Sequence, residues 1–149
     1  MVISDFKNAT PEVYQALGSI GKAAVEAGLE KDLIEFVKIR ASQINGCAYC
    51  LGFHTAMARK AGVSQVKLDL LPIWREAGLF NEREQAALAW TETLVLMAQA
   101  HPGAEDRAKA ANQFNEMQFL HLTVAIGLIN QWNRICGGLG ILPDVGMLA

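Results

Sequence analysis

Cys47, Cys50 and His54 are the residues of this chain best placed by type and spacing to do chemistry together. Two thiols stand three residues apart, and an imidazole follows four residues after the second. At 100° per residue on a helix, the three fall within one sector roughly 60° wide. Two kinds of chemistry use such a set. Vicinal thiols cycle between dithiol and disulfide, and a histidine takes the thiol proton near neutral pH. Alternatively, two thiolates and an imidazole supply three ligands of a zinc site, with His101 or His121 as the fourth. Structural zinc usually joins two short ligand clusters and serves domains without a core, whereas this chain offers one cluster and abundant apolar residues. Redox chemistry is therefore the preferred reading, and no bound metal or cofactor is expected. Two buried thiols beside a hydrogen-bonded core histidine are the bland alternative.

The elements that must position this set can be read on either side of it. A helix is predicted from about Lys31 to Ile44, with Leu33, Ile34, Phe36, Val37, Ala41 and Ile44 on its apolar face and Glu35 and Ser42 on the opposite side. Arg40 projects from the apolar face and needs a partner carboxylate or a bed for its stem. Asn45-Gly46 breaks the helix, and a third helix runs from Cys47 to about Lys60, closed by Gly62. The thiol pair sits in its first turn. Free backbone N–H groups and the positive end of the dipole favour a thiolate there, so one of the two thiols is expected to titrate below its ordinary range.

Around this centre the chain reads as helices throughout. Thr10-Pro11-Glu12 opens a first helix that ends at Gly28, Ser64 caps a short one, and Pro72 can start another. Asn81 with Glu84 resembles a capping box for a helix running to Ala100, where His101-Pro102-Gly103 stops it. Glu105 to Asn115 and the apolar Met117 to Cys136 complete the set, the last ended by Gly137-Gly138 and Gly140. No stretch alternates with period two long enough for a strand. The expected fold is all-α, a compact bundle of seven or eight helices in a single domain over residues 1–149.

Composition narrows the function classes. Of 149 residues 52% are apolar and 19% charged, which describes a globular chain. Thirteen basic and 15 acidic residues leave a formal charge of −2 with no Lys/Arg cluster, which argues against nucleic acid as partner. No run reaches the ~20 apolar residues of a membrane span, and the N-terminus lacks a secretory signal. Three cysteines are too few for a disulfide-stapled secreted scaffold, so a reduced, cytoplasmic setting is expected.

Glu35, twelve residues before Cys47, then Arg40-Ala41-Ser42-Gln43-Ile44-Asn45-Gly46-Cys47-Ala48-Tyr49-Cys50 and His54, resembles the core motif of alkylhydroperoxidase D-like proteins. These belong to the carboxymuconolactone decarboxylase superfamily, and Ile129-Asn130-Gln131-Trp132-Asn133-Arg134 is similar to its last-helix pattern. The resemblance implies a thiol peroxidase: Cys50 attacks the hydroperoxide, Cys47 resolves the sulfenic acid to a disulfide, and His54 and Glu35 relay protons. Tyr49 stands where the family can carry a relay histidine, and a phenol is a poorer base near neutrality. A hydroperoxide substrate, a dithiol reductant of unknown identity and a homo-oligomer, trimer or hexamer, are implied in the same way. A thiol-disulfide reductase or a non-catalytic redox sensor would use the same residues. Carboxymuconolactone decarboxylation ranks below these, because those decarboxylases are not expected to carry the cysteine pair.

The other candidates read more plainly. Cys136, late on the apolar last helix, is expected to be a buried inert thiol. His121 between two leucines reads as a hydrogen-bonded core residue, and His101 as solvent-facing. Trp74, Trp90 and Trp132 read as core or interface residues.

Overall fold

The computed structural model describes residues 5–144 and 146, and every regular element among them is helical. Nine α-helices follow in order: α1 Phe6–Ala9, α2 Pro11–Glu26, α3 Lys31–Asn45, α4 Ala48–Lys60, α5 Gln65–Asp69, α6 Trp74–Ala77, α7 Glu82–Val95, α8 Ala104–Ala111 and α9 Glu116–Leu139. A 3₁₀ turn, Leu71–Ile73, joins α5 to α6. The all-α bundle is as expected; the count exceeds the seven or eight read from the sequence. The addition is α1, four residues held by the Asp5 side chain accepting from Asn8 N, with no buried residue to give it an apolar period.

Why α3 lies at the centre follows from its surface. Leu33, Ile34, Phe36, Val37, Ile39 and Ala41 are all buried, and so are Glu35 and Ser42 on other faces. A helix buried nearly all round must be enclosed by neighbours, and α3 packs on α4, α7 and α9. Two apolar cores form on it. One joins Leu33, Ile34 and Val37 to Trp90 of α7 and to Leu122 and Ile126 of α9. The other joins Phe36 and Ile39 to Leu71, Trp74, Phe80 and Leu88.

Helix ends show where local signals sufficed. Asn81 and Glu84 form the full capping box, and Ser64 accepts from Lys67 N. Thr10 makes no side-chain cap; its hydroxyl donates back to Phe6 O, because α1 already occupies the upstream turn. Helix α7 stops at Val95, ahead of the expected Ala100, and the segment continues as hydrogen-bonded turns around the half-exposed Leu96 and Met97. In α9 the order is reversed. Gly137 and Gly138 stay helical, and Gly140, at φ 65°, ends the helix in the left-handed region. No helix among the described residues is long and apolar enough to cross a membrane.

Candidate active site

Gly46 fixes how the site begins. Its φ of 68° closes α3 with the backbone N–H returning to Ser42 O, a conformation that a side chain would strain. The next residue, Cys47, is the N-cap of α4, and its sulfur accepts a hydrogen bond from Cys50 N at 3.3 Å. The two Sγ atoms are 2.7 Å apart and both thiols are free. Both are also buried, Cys47 at 5% and Cys50 at 3% exposure.

A polar network holds this turn against α9. Asn45 Nδ2 donates to Asn133 Oδ1 and to Asn130 Oδ1, each at 2.9 Å. Asn133 Nδ2 donates to Ser42 Oγ at 3.0 Å, and Ser42 Oγ donates to Lys38 O at 2.7 Å. Asn133 and Ser42 are buried, so the bonds they make satisfy groups that water cannot reach. These bonds bring the Trp132-Asn133-Arg134 segment of α9 up to the thiols. Trp132 packs beside them and stands edge-on to Phe6 and Tyr14, with ring centroids 5.6 and 5.7 Å away.

Glu35 comes to the site from the face of α3 that turns toward α4. It is only 9% exposed, so the alternative of a solvated helix acid does not hold. Its Oε2 lies 2.7 Å from His54 Nδ1, and its Oε1 accepts from Lys38 Nζ at 3.0 Å. Burial works to raise the Glu35 carboxyl, but the hydrogen bond and charge of His54, aided by Lys38, hold it below the usual carboxylate range. Burial lowers the His54 pKa, and Glu35 only partly offsets this. At neutral pH the pair is therefore a carboxylate and a neutral imidazole. Nδ1–H donates to Glu35, which leaves Nε2 as the accepting nitrogen. His54 stands one helical turn beyond Cys50.

The thiols depart from expectation. Burial, with the neighbouring Cys50 thiol, pushes Cys47 up to about 11. The Cys50 N–H acts in the opposite sense and is outweighed. Contact with Cys136 and burial push Cys50 up as well. The helix start alone does not make a low-pKa thiol when two sulfurs are buried against each other. The thiol moved down is Cys136, through its contact with Cys50. Tyr49 is half-buried and stacks on Phe53 at 6.4 Å; burial raises its phenol, which stays a hydrogen-bond donor.

Cys136 is buried, as expected, and it lies against the other two thiols, which the sequence does not indicate. It is 2% exposed, and its Sγ lies with those of Cys47 and Cys50 inside a 4.8 Å group. Among the described residues this trio is the grouping spaced like a metal ligand set, and three thiolates suit a soft ion. His54 is not in that group. The sequence did signal a third cysteine on an apolar helix, but nothing local reveals which helix faces which. His121 also differs from its reading: its Nδ1 is buried without a hydrogen-bond partner.

An all-helical bundle that presents two vicinal thiols at a helix start, with a buried Glu–His pair on the same two helices, defines a class that relatives now specify. Residues 11–93 match the carboxymuconolactone decarboxylase family. The chain is 32% identical to the uncharacterised protein YdfG of Bacillus subtilis over 130 residues, 87% of this chain and 88% of that one. A crystal structure from Agrobacterium tumefaciens, of a protein of unknown function suggested to be the antioxidant defence protein AhpD, superposes with a TM-score of 0.89 at 32% identity. It covers 97% of this chain and 99% of that one. The debrominase Bmp8 superposes at 0.80 with 19% identity, over 94% of this chain and 75% of its own, a likeness of fold alone. The chain belongs to the carboxymuconolactone decarboxylase family, as an alkylhydroperoxidase D-like member.

Proposed function

We propose that this protein is a thiol peroxidase that reduces hydroperoxides through Cys50 and Cys47. The observation that carries the reading is the Glu35–His54 contact of 2.7 Å, which sets a neutral imidazole one turn from a thiol of raised pKa. A thiol that holds its proton at neutral pH needs a base when it attacks. His54 Nε2 takes the Cys50 proton as the sulfur attacks the distal oxygen. The S–O bond forms, the O–O bond breaks, and the departing alkoxide receives the proton as an alcohol. The imidazolium that exists between these transfers is stabilised by the Glu35 carboxylate. Cys47 then attacks the Cys50 sulfenic acid, the S–S bond forms and water leaves. A dithiol donor restores both thiols by exchange. In this reading Tyr49 O–H, a hydrogen-bond donor of raised pKa, holds a peroxide oxygen and does not shuttle protons.

The same proposal includes a homo-oligomer, trimer or hexamer. Apolar side chains exposed on α2 (Val13, Ile20) and α9 (Met117, Leu120, Val124) are consistent with a face covered by further copies.

The test is peroxide consumption with a dithiol donor such as dihydrolipoamide, followed in wild type and Cys50→Ser. Turnover should fall at least ~1,000-fold in the variant with the fold intact. Undiminished turnover in Cys50→Ser would sink the assignment. Oxidation that occurs once, with no donor restoring the thiols, would favour a redox sensor.

A further inference from the structure

We propose that Cys136 is a second resolving thiol, which captures oxidised Cys50 in a disulfide joining α4 to α9. The inference rests on the peroxidase reading for the origin of the oxidised Cys50, and on the three-sulfur cluster for its fate.

Two observations carry it. First, the Sγ atoms of Cys47, Cys50 and Cys136 all lie within 4.8 Å of one another, so Cys50 has two thiol neighbours and not one. Second, Cys136 is 2% exposed, so bulky external reagents do not reach it, and the groups its sulfur can react with are those it already touches.

Two routes lead to the same bond, and both balance. When Cys50 is a sulfenic acid, Cys136 attacks its sulfur, the S–S bond forms and hydroxide leaves as water with the Cys136 proton. When Cys47 and Cys50 are already joined, Cys136 attacks Cys50, the Cys50–Cys136 bond forms and Cys47 leaves as a thiolate. In the second route the oxidation state is unchanged and the disulfide moves inward. The products differ in kind. A Cys47–Cys50 disulfide lies inside the first turn of α4, whereas Cys50–Cys136 ties together helices far apart in the sequence. Both also shield Cys50 from further oxidation to the sulfinic acid.

The experiment uses the full chain carrying Cys47→Ser. Serine is itself a good N-cap, so α4 keeps its start. The variant is treated with one equivalent of hydrogen peroxide, its remaining thiols are alkylated after unfolding in denaturant, and it is digested with trypsin. Cleavage after Arg40, Arg59 and Arg134 puts residue 50 in peptide 41–59 and residue 136 in peptide 135–149. The expected result is a cross-linked pair of these peptides, at least tenfold above the untreated control. It should disappear in Cys47→Ser/Cys136→Ser, where dimedone labels Cys50 sulfenic acid instead. A dimedone adduct or sulfinic acid at Cys50 in Cys47→Ser, with Cys136 fully alkylated, would overturn the proposal. If peroxide leaves Cys50 unoxidised, that failure belongs to the peroxidase reading. A parallel arm with diamide, which removes the two thiol hydrogens directly, then decides: the 41–59 to 135–149 link supports the pairing, and its absence refutes it.

Discussion

Glu35, buried, and Glu92, partly buried, are carboxylates on neighbouring helices that solve the same electrostatic problem with different partners. Glu92, on α7, accepts from Arg40 Nε at 2.7 Å and from Trp74 Nε1 at 3.0 Å through Oε1, and pairs with Arg75 at 2.6 Å through Oε2. Glu35, on α3, pairs with His54 and Lys38. In both cases burial raises the carboxyl and its partners more than reverse that, so both stay ionised below the usual range. The partners separate them. A guanidinium keeps its proton under all ordinary conditions, so the Glu92 cluster holds charge and shape. An imidazole can gain and lose a proton near neutrality, so the Glu35 cluster can move one. The partnership, more than the carboxylate itself, distinguishes a brace from a relay.

Substitutions can break that comparison or sharpen it. The largest effect on turnover among the pairs is expected from His54→Ala, a loss of roughly 10²–10⁴-fold. Its pH profile is the sharper reading. In wild type, His54 titrates below its ordinary value, so sulfenic acid formation should rise through that lowered pKa and stay flat above pH 7. Without the imidazole, the rate should follow the thiolate fraction and climb about tenfold per pH unit until the raised thiol pKa is approached. A flat profile in His54→Ala, measured by stopped-flow with peroxide, would remove the base from the mechanism. Glu35→Gln should come next, about 10-fold down in turnover, because the amide oxygen still orients Nδ1–H but no longer stabilises the imidazolium.

Glu92→Gln should sit at the other end of the turnover scale, unchanged per folded molecule. It should instead lower stability by about 3 kcal/mol, since Arg40 would be left partly buried without its counter-charge. For a chain of this length that is a fall of roughly 8 °C in Tm by calorimetry. The acid limb offers a related check. Both carboxylates have folded pKa values below their unfolded ones, so their stabilisation is complete above the ordinary carboxylate range and is lost as pH falls through the folded values. Glu92→Gln should therefore flatten the loss of stability between about pH 5 and pH 3. If Glu92→Gln reduces turnover as much as Glu35→Gln does, the distinction between brace and relay is wrong.

What the sequence disclosed follows the range over which each signal acts. The Gly46 break, the Asn81–Glu84 box and the thiol pair at the start of α4 were all legible, because each is written within four residues. The Asn115–Gln118 capping box was equally local, but was obscured by reading the preceding helix through to Asn115. Glu35 shows a different limit. Helical periodicity recognises one apolar face and assigns the opposite side to solvent, but α3 is covered on several sides, and α4 occupies the one that Glu35 presents. For Arg40 the sequence offers a carboxylate partner or a bed for its stem; the structure supplies the carboxylate, Glu92, which the sequence cannot name because the pairing spans two helices. Cys136 lay beyond local pattern for the same reason.

The hydrogen bonds among Ser42, Asn133 and Asn45 have a consequence for tolerance to change. Apolar contacts are non-directional, so an aliphatic core absorbs a substitution by small slips of one helix along another. Directional bonds between α3 and α9 allow no such slip at the level of Gly46 unless a buried amide or hydroxyl loses its partner. The start of α4 is thereby insulated from drift in the two large apolar cores. Leucines and isoleucines there can be exchanged over generations while the sulfur atoms keep their spacing.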